Sequence, residues 1–371
     1  MSKAVPALAL ALILIVGAAV VYVASSDDVD DDPGTGPVPP SVPDVPELPE
    51  GVGYDQRTGA LSTDDAVEWV ISDVFAPLYV DREPYEPFRE VASEIVLDPG
   101  KYSVTVMGET FEMTVPGEIT REFDWKYDDG EVTHNLSVDL KMDVLDFIAD
   151  TEENRQWNAS VYKYKFLDLP RLVRVDDTII TLEEMLESEY RNIGGSIEDR
   201  QGYADFLAAF VQKATDYPSS VDGHSGEFDY GIWGSAEYWA LPLETLYYKI
   251  GDCEDTAALL CALYEAAGYR SAMGGQSGHV FAGVSIDGFT EVPTDRLKEL
   301  NISYYRLAER TMSVDYGDGP ESVTFYAVET IRDQNPVGYL AGGDQHFDKN
   351  TMWGWAGFYP YGAVEGIQSS S

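Results

Sequence analysis

The sequence is poor in basic residues, and this limits the partners it can bind. Its 371 residues include 24 Lys and Arg against 66 Asp and Glu, for a formal net charge of -42 and an isoelectric point near 4.1. Nucleic-acid binding requires basic side chains that neutralise phosphates, so we expect no nucleic-acid partner. Repulsion between this many carboxylates is tolerated where salt screening is strong. The composition therefore favours a salt-rich (halophilic) environment, with an ordinary acidic secreted protein as the alternative.

Histidine and cysteine are also scarce, and their positions argue against a zinc site and against a disulfide. The four histidines are His134, His224, His279 and His346. They lack the grouped Cys and His ligands of a zinc site, so we expect neither a metal nor a cofactor. If Cys253 and Cys261 share a helix, they lie about 12 Å apart along its axis, whereas a disulfide needs Cα atoms within about 7 Å. Both thiols should stay reduced, with Cys261 as a small buried apolar residue.

The first 24 residues are interpreted as a membrane anchor. Residues 4–24 are uncharged and almost wholly apolar, and such a run is long enough to span about 30 Å of hydrocarbon as a transmembrane helix. Lys3 precedes the run and aspartates at 27–32 follow it. The positive-inside rule then predicts a single-pass cell-membrane protein with its N-terminus inside and its C-terminal domain extracellular. A cleaved signal peptide is the alternative.

Composition and periodicity divide the rest of the chain into four parts. Residues 25–53, acidic and then rich in proline, are typical of an extended linker. Residues 54–175 are interpreted as a β-rich accessory domain, residues 176–345 as a catalytic domain and residues 346–371 as an aromatic C-terminal extension that packs back on it. Three N-x-S sequons, at Asn135, Asn158 and Asn301, suit an external location.

Local patterns predict the elements of the two domains. Residues 64–79 have roughly helical spacing and predict a short helix. Alternation by two predicts hairpins over 102–115 and 121–140. Residues 181–188 and 199–215 predict helices that wall the catalytic half, the first of them capped by Thr181.

The residues with a candidate chemical role lie in the stretch 238–283. Its centre, residues 251–255, reads Gly-Asp-Cys-Glu-Asp and leads into an apolar helical run that ends at Gly268. Cys253 therefore stands at the start of a buried helix, where free N–H groups and the helix dipole favour a thiolate. His279 opens a predicted strand at 280–286. A thiol at a helix start and an imidazole at a strand start are the two parts of a Cys–His nucleophilic pair.

The same stretch resembles the transglutaminase-like superfamily, which has the papain-like cysteine protease fold. The matching pattern is WxxPxETLxxxxGDCEDxAxLLxALxxAxGY, followed by GHV. The pattern residues are Trp239, Pro242, Glu244, Thr245, Leu246, Gly251, Asp252, Cys253, Glu254, Asp255, Leu259, Leu260, Ala262, Leu263, Ala266, Gly268, Tyr269, Gly278, His279 and Val280. The resemblance covers roughly residues 206–340. It implies Cys253 as nucleophile, His279 as base and an acidic residue further along the chain that orients the imidazole.

Two acidic residues are candidates for that third role. Members of the family usually carry an Asp in a short strand after the histidine strand. Residues 325–330 read Phe-Tyr-Ala-Val-Glu-Thr, which fits loosely and favours Glu329. Asp295 is the rival, nearer in sequence but without strands on both sides. If Glu329 is correct, residues 288–322 form an inserted surface segment.

The fold class expected from the whole sequence is α+β: a papain-like, transglutaminase-like catalytic domain preceded by a β-rich module and one transmembrane helix. The expected function is an extracellular, membrane-anchored cysteine hydrolase, a peptidase or amidase acting on a protein or peptide through a thioester. A cross-linking transglutaminase, and a non-catalytic module that binds peptide or cell-surface polymer, are the alternatives. Trp233, Trp239 and Glu244 are expected to pack or anchor the backbone. The oligomeric state is left open.

Overall fold

The computed structural model describes residues 46–80, 83–276, 278–302, 307–333, 335–340 and 357–363. The first of these ranges enters a five-stranded antiparallel sheet. The strands of this sheet are β1 (Gly53–Asp55), β2 (Ala60–Asp73), β5 (Phe88–Val96), β6 (Gly100–Val106) and β7 (Glu109–Val115). A separate two-stranded ribbon consists of β3 (Tyr79–Val80) and β4 (Glu83–Pro84). The sheet order is β1-β2-β6-β7, with β5 also paired to β2, and β3 pairs with β4.

The long strand β2 replaces the short helix predicted over residues 64–79, and that prediction is wrong. Trp69 and Ile71 are buried, and both belong to a cluster that includes Val104 of β6. Residues two apart share one face of a strand, so the burial follows a strand period although the spacing of the acidic residues resembled a helix. The indole of Trp69 also donates to the backbone carbonyl of Ala92 in β5.

The hairpin predicted over residues 102–115 is confirmed as β6 and β7. Met107 and Gly108 both have positive φ, 51° and 83°, as a two-residue hairpin turn requires. The hairpin predicted over 121–140 is likewise confirmed. Its strands are β8 (Glu118–Asp128) and β9 (Thr133–Asp143), and Gly130 in the connecting turn has φ 94°.

Helices and a second sheet form the remainder. The helices are α1 (Val144–Ser160), a 3₁₀ helix (Phe166–Leu172), α2 (Asp177–Asn192), α3 (Arg200–Ala214), α4 (Tyr230–Trp233), α5 (Pro242–Tyr248), α6 (Cys253–Ala266) and α7 (Thr294–Glu299). The strands are β10 (Ser271–Gln276), β11 (His279–Val284), β12 (Glu309–Asp315), β13 (Pro320–Val328) and β14 (Gly357–Pro360). They form an antiparallel sheet in the order β12-β13-β11-β10-β14.

Helix α6 lies at the centre of the largest apolar core. Residues 257–264 are fully buried on every side of the helix, because α2, α3, α5, β10 and β11 all pack against it. The inner face of the β8–β9 hairpin joins the same core through Phe123 and Trp125. Trp125 makes an edge-to-face contact with Phe210 of α3 at 5.2 Å between ring centroids.

The predicted fold class needs correction. The described chain is mixed α+β, and it has no helix whose length and apolar character would carry it through a lipid bilayer. The transmembrane helix predicted at residues 4–24 lies outside the described residues, as does most of the predicted linker. The architecture that the structure describes is therefore mixed α+β, with helices and sheets and without a spanning helix.

The structure also bears on the predicted boundary at residue 175, on the start of α2 and on the C-terminal segment. All described residues belong to one compact unit, and the β8–β9 hairpin shares a core with α3, so packing continues across residue 175. Helix α2 begins at Asp177 with Asp176 as its cap. The predicted cap, Thr181, lies inside the helix and donates to the carbonyl of Asp177. Most of residues 346–371 lie outside the described residues, but β14 pairs with β10.

Candidate active site

The N-terminus of α6 presents Cys253 as the first residue of the helix. Asp252 is the cap, and its carboxylate accepts from the backbone N–H of Asp255 while Asp255 in turn accepts from the N–H of Asp252. This reciprocal pair is a capping box, which fixes the first turn of a helix. Gly251 is required just before it, because a Cβ there would lie 2.8 Å from the Cβ of Asp255. The thiol of Cys253 is free and partly exposed.

His279 and Glu329 reach the same place through the register of the second sheet. Strand β11 pairs with β13 so that Ala282 lies opposite Val328. Continuing this antiparallel register by one residue places Glu329 opposite Phe281. Opposed residues, and residues two apart on one strand, point to the same face of a sheet. His279 and Glu329 therefore share a face although the inserted segment separates them in sequence.

The imidazole of His279 is held by the carboxylate of Glu329. Nε2 of His279 lies 3.1 Å from Oε2 of Glu329, whose side chain is only 1% exposed. The second carboxylate oxygen accepts from the backbone N–H groups of Thr330 and Ile331, and Gln212 donates to the carbonyl of Glu329. These bonds fix the carboxylate, so the imidazole is oriented by a rigid partner.

Cys253 also lies close enough to His279 for their side chains to interact. Burial of the imidazole opposes its positive charge, but hydrogen bonds to Cys253 and Glu329, together with the charge of these two groups, raise the pKa of His279 to about 10. The histidine is thus favoured in its protonated form at neutral pH, next to the sulfur.

Asp295, the rival for the third position, lies elsewhere on the surface. Its side chain is 90% exposed at the start of α7, where it pairs with Lys298 at 2.9 Å. Residues 288–322 contain α7 and β12, and they lengthen the connection between β11 and β13 without entering the pair that these strands form. The acidic residue that contacts His279 is Glu329.

The acidic side chains around Cys253 point in different directions. Asp255 turns away from the sulfur, because its Oδ1 accepts from the backbone N–H of Ala240 at 2.7 Å. Glu254 is different: its Oε2 lies 3.1 Å from Sγ of Cys253 and accepts from the thiol. Burial, followed by the charges of Cys253 and its acidic neighbours, raises the pKa of Glu254 well above its usual value.

Trp239 and Glu244 have structural contacts, as the sequence predicts. The indole of Trp239 is buried against Tyr164, with ring centroids 4.6 Å apart, and donates to Glu237. Its N–H is therefore committed to a neighbour. Glu244 is fully buried, accepting from Tyr238, Asn154 and the backbone of Leu241. Burial raises the pKa of Glu244 to about 7.

The structure adds residues that sequence reasoning missed. Tyr217, in the loop after α3, lies close enough to Asp252, Cys253 and Glu254 that their charges add to burial in raising its pKa. Asp229, far from the nucleophile motif, lies with Asp252 and Asp255 in a buried cluster. No sequence signal marks either residue, because both come from an irregular loop whose path depends on packing.

Two groups of side chains around Cys253 have donor atoms close enough to hold a cation. One combines Asp252, Cys253 and Glu254, and the other combines Asp229, Asp252 and Asp255. The first offers a soft sulfur among hard oxygens, while the second offers oxygens alone, the donor set preferred by Ca²⁺. Neither set has the Cys and His ligands of a structural zinc site.

A surface depression of about 440 Å³ lies away from these residues, lined by Arg270, Tyr316, Asp318, Gly319, Pro320 and Glu321. None of the three candidate catalytic side chains lines it.

No family model, curated protein or solved structure matches this chain. The resemblance to the transglutaminase-like superfamily therefore depends on the quoted residues alone.

Proposed function

We propose that this protein is a transglutaminase-like cysteine hydrolase that acts on a peptide or glutaminyl amide of a protein substrate. The observation that carries the proposal is that His279 bonds Glu329 and lies beside Cys253, so that both groups act on its imidazole. A nucleophile, a base and a group that orients the base are the three parts of this chemistry. The partly exposed thiol is consistent with access for a substrate.

The reaction follows from these positions. The sulfur of Cys253 attacks the amide carbon, and the carbonyl electrons move to oxygen. The backbone N–H of Cys253, at the free end of α6, is suited to donate to that oxyanion. When the intermediate collapses, the C–N bond breaks and protonated His279 transfers its proton to the leaving nitrogen. A thioester between Cys253 and the acyl group remains.

Hydrolysis then restores the thiol. His279, now neutral, accepts a proton from water as the water oxygen attacks the thioester carbon. The C–S bond breaks, the acid is released, and the sulfur again faces an imidazolium. Glu329 keeps the ring oriented through both steps by its bond to Nε2, and its negative charge stabilises the imidazolium in the first and last states.

Transfer to an amine instead of water would make the same protein a cross-linking acyltransferase. We favour hydrolysis, since the residues that carry the resemblance include no distinctive amine-binding feature. A non-catalytic binding module is favoured by one specific observation. The carboxyl group of Glu254 accepts from the thiol of Cys253, and this contact competes with the imidazole for the same sulfur.

Labelling with iodoacetamide tests the proposal because the chain offers its own internal control. Cys261 is fully buried, donates to the carbonyl of Ala272, and burial raises its pKa to about 12. We expect Cys253 to be labelled selectively at neutral pH in the folded full-length chain. His279→Ala should slow this labelling about 10-fold or more, because the thiolate loses its counter-charge. Cys261→Ala should leave it unchanged.

Incubation with mixed proteins in high salt then separates the reaction classes. Cleaved or deamidated products that disappear with Cys253→Ala support hydrolysis, and joined products support transfer. Absence of labelling without denaturant, or labelling of Cys253 that His279→Ala does not change, would favour the binding module instead.

A further inference from the structure

Three carboxylates meet in the protein interior beside the candidate active site. Asp229, Asp252 and Asp255, here named the buried acidic cluster, are 2%, 9% and 1% exposed. Donor oxygens of all three lie within 4.8 Å of one another. Like charges this close in a poorly solvated site repel strongly. The cluster therefore requires either added protons or a compensating cation.

No basic side chain of the protein provides that charge among the described residues. None of the ion pairs formed by Lys, Arg or His in the described part of the chain includes a member of the cluster. Burial and mutual repulsion both oppose three negative charges at this place. The environment is thus unfavourable to the bare anions.

One carboxylate oxygen of the cluster has no hydrogen-bond partner among the described residues. It is Oδ1 of Asp229, which is buried, although Oδ2 of the same residue accepts from the backbone N–H of Tyr238 at 2.7 Å. Buried polar atoms without partners are uncommon, because such an atom loses its hydration without gaining a hydrogen bond. A bound ion is one of the ordinary reasons for them.

We propose that the buried acidic cluster binds a calcium ion through Asp229, Asp252 and Asp255. The donors are all carboxylate oxygens, which hard cations prefer, and they lie within 4.8 Å of one another, close enough to share one ion with Ca–O bonds of about 2.3–2.6 Å. Mg²⁺ fits less well because it demands shorter bonds and near-octahedral geometry. Water completes the coordination shell, as is usual at such sites.

The ion would join two separate pieces of the chain. Asp229 belongs to the loop between α3 and α5, while Asp252 and Asp255 form the capping box of α6. Calcium therefore ties this loop to the helix end that carries Cys253. The proposal is independent of the reaction, because binding and thermal stability report on it without any substrate.

Calcium-dependent stability in matched variants tests the site. Asp229→Asn and Asp252→Asn each remove one charged ligand, and Asn still caps a helix as well as Asp does. Asp205→Asn is the control, because it also removes one charge from a carboxylate with restricted solvent access. Asp205 accepts from the backbone N–H of Val337 and lies outside the cluster. The full-length chain is melted in high KCl with chelator, CaCl₂ or MgCl₂, and calorimetric titration counts the sites.

We expect CaCl₂ to raise the Tm of the natural chain and of Asp205→Asn by about 5 °C, with a smaller rise in MgCl₂. Asp229→Asn and Asp252→Asn should lose most of this rise and one calorimetric site. In chelator they should melt no lower than the natural chain, because repulsion is relieved. Equal calcium effects in all four proteins, which indicate surface ions only, or no calcium effect on the natural chain, would overturn the proposal.

Discussion

Nε2 of His279 lies 3.1 Å from Oε2 of Glu329, although a helix and a strand intervene in the sequence. The contact exists because β11 and β13 are neighbours in the second sheet. A carboxylate that is one methylene longer than Asp still reaches the ring, because Glu329 stands just beyond the last residue of β13. The orientation of the imidazole is thus a property of strand pairing.

Removal of the charge at Glu329 should slow the chemistry at Cys253. We expect Glu329→Gln to reduce the rate of Cys253 labelling, and of any substrate turnover, by at least about 10-fold, since an amide neither orients nor stabilises the imidazolium as a carboxylate does. Asp295→Asn is the matched control and should have no effect, because Asp295 is exposed and pairs with Lys298. Equal rates in the two variants would contradict the role of Glu329.

The stability of the protein should depend on pH through His279. Burial would lower the pKa of this histidine, but its interactions with Cys253 and Glu329 raise the pKa to about 10. In the unfolded chain the pKa of a histidine is about 6.5. Between these values the folded state keeps a proton that the unfolded state has lost, so stability falls as the pH rises. The contribution is complete below about pH 6.5 and is lost towards pH 10.

Urea unfolding at several pH values, compared with His279→Gln, measures this contribution. The difference in free energy of unfolding between the natural chain and the variant should shrink across the interval from about pH 6.5 to 10. A difference that stays constant over this interval would show that the folded histidine titrates normally.

The packing of α6 should contribute strongly to the stability of the apolar core that surrounds this helix. Leu260→Ala removes a side chain that is fully buried, and such truncations cost about 2–5 kcal/mol. Leu167→Ala is a suitable control because Leu167 is largely exposed, and it should change the unfolding free energy by less than about 0.5 kcal/mol. Urea denaturation of both variants measures the contrast, and equal losses would place α6 outside the stable core.

The bonds to Glu244 should matter for stability and not for reactivity. The hydroxyl of Tyr238 donates to Oε1 of Glu244 at 2.7 Å in a fully buried site, so Tyr238→Phe should cost about 1–3 kcal/mol. Tyr162→Phe, at a fully exposed tyrosine, should cost nothing measurable. Labelling of Cys253 in the folded proteins should remain unchanged. Slower labelling in Tyr238→Phe would indicate that Glu244 participates in the chemistry.

Much of the local structure around the site was predictable from sequence. The apolar run after Cys253 and the stop at Gly268 indicated a buried helix with the thiol at its start, and α6 begins at Cys253. Alternation by two indicated the hairpin over residues 102–115. These predictions succeed because the capping of a helix and the periodicity of apolar residues are decided by neighbours within a few residues.

Other features could not be derived because they depend on contacts between distant segments. Residues 64–79 were expected to be helical, and pairing with β5 and β6 makes residues 64–73 part of the strand β2 instead. The contact of Glu254 with the sulfur of Cys253 likewise carries no local sequence signal. Asp229 carried no signal at all, since a loop residue joins a cluster only when the fold brings it there.

The sequence by itself determined that the chain is strongly acidic, that Cys253 starts a buried helix, and that His279 starts a strand. Composition and short-range pattern are enough for these. Tertiary structure alone decided that Glu329 and not Asp295 contacts the imidazole, and that Asp229 closes a buried acidic cluster beside the thiol. The reason is physical: strand register and core packing join residues that no local interaction connects.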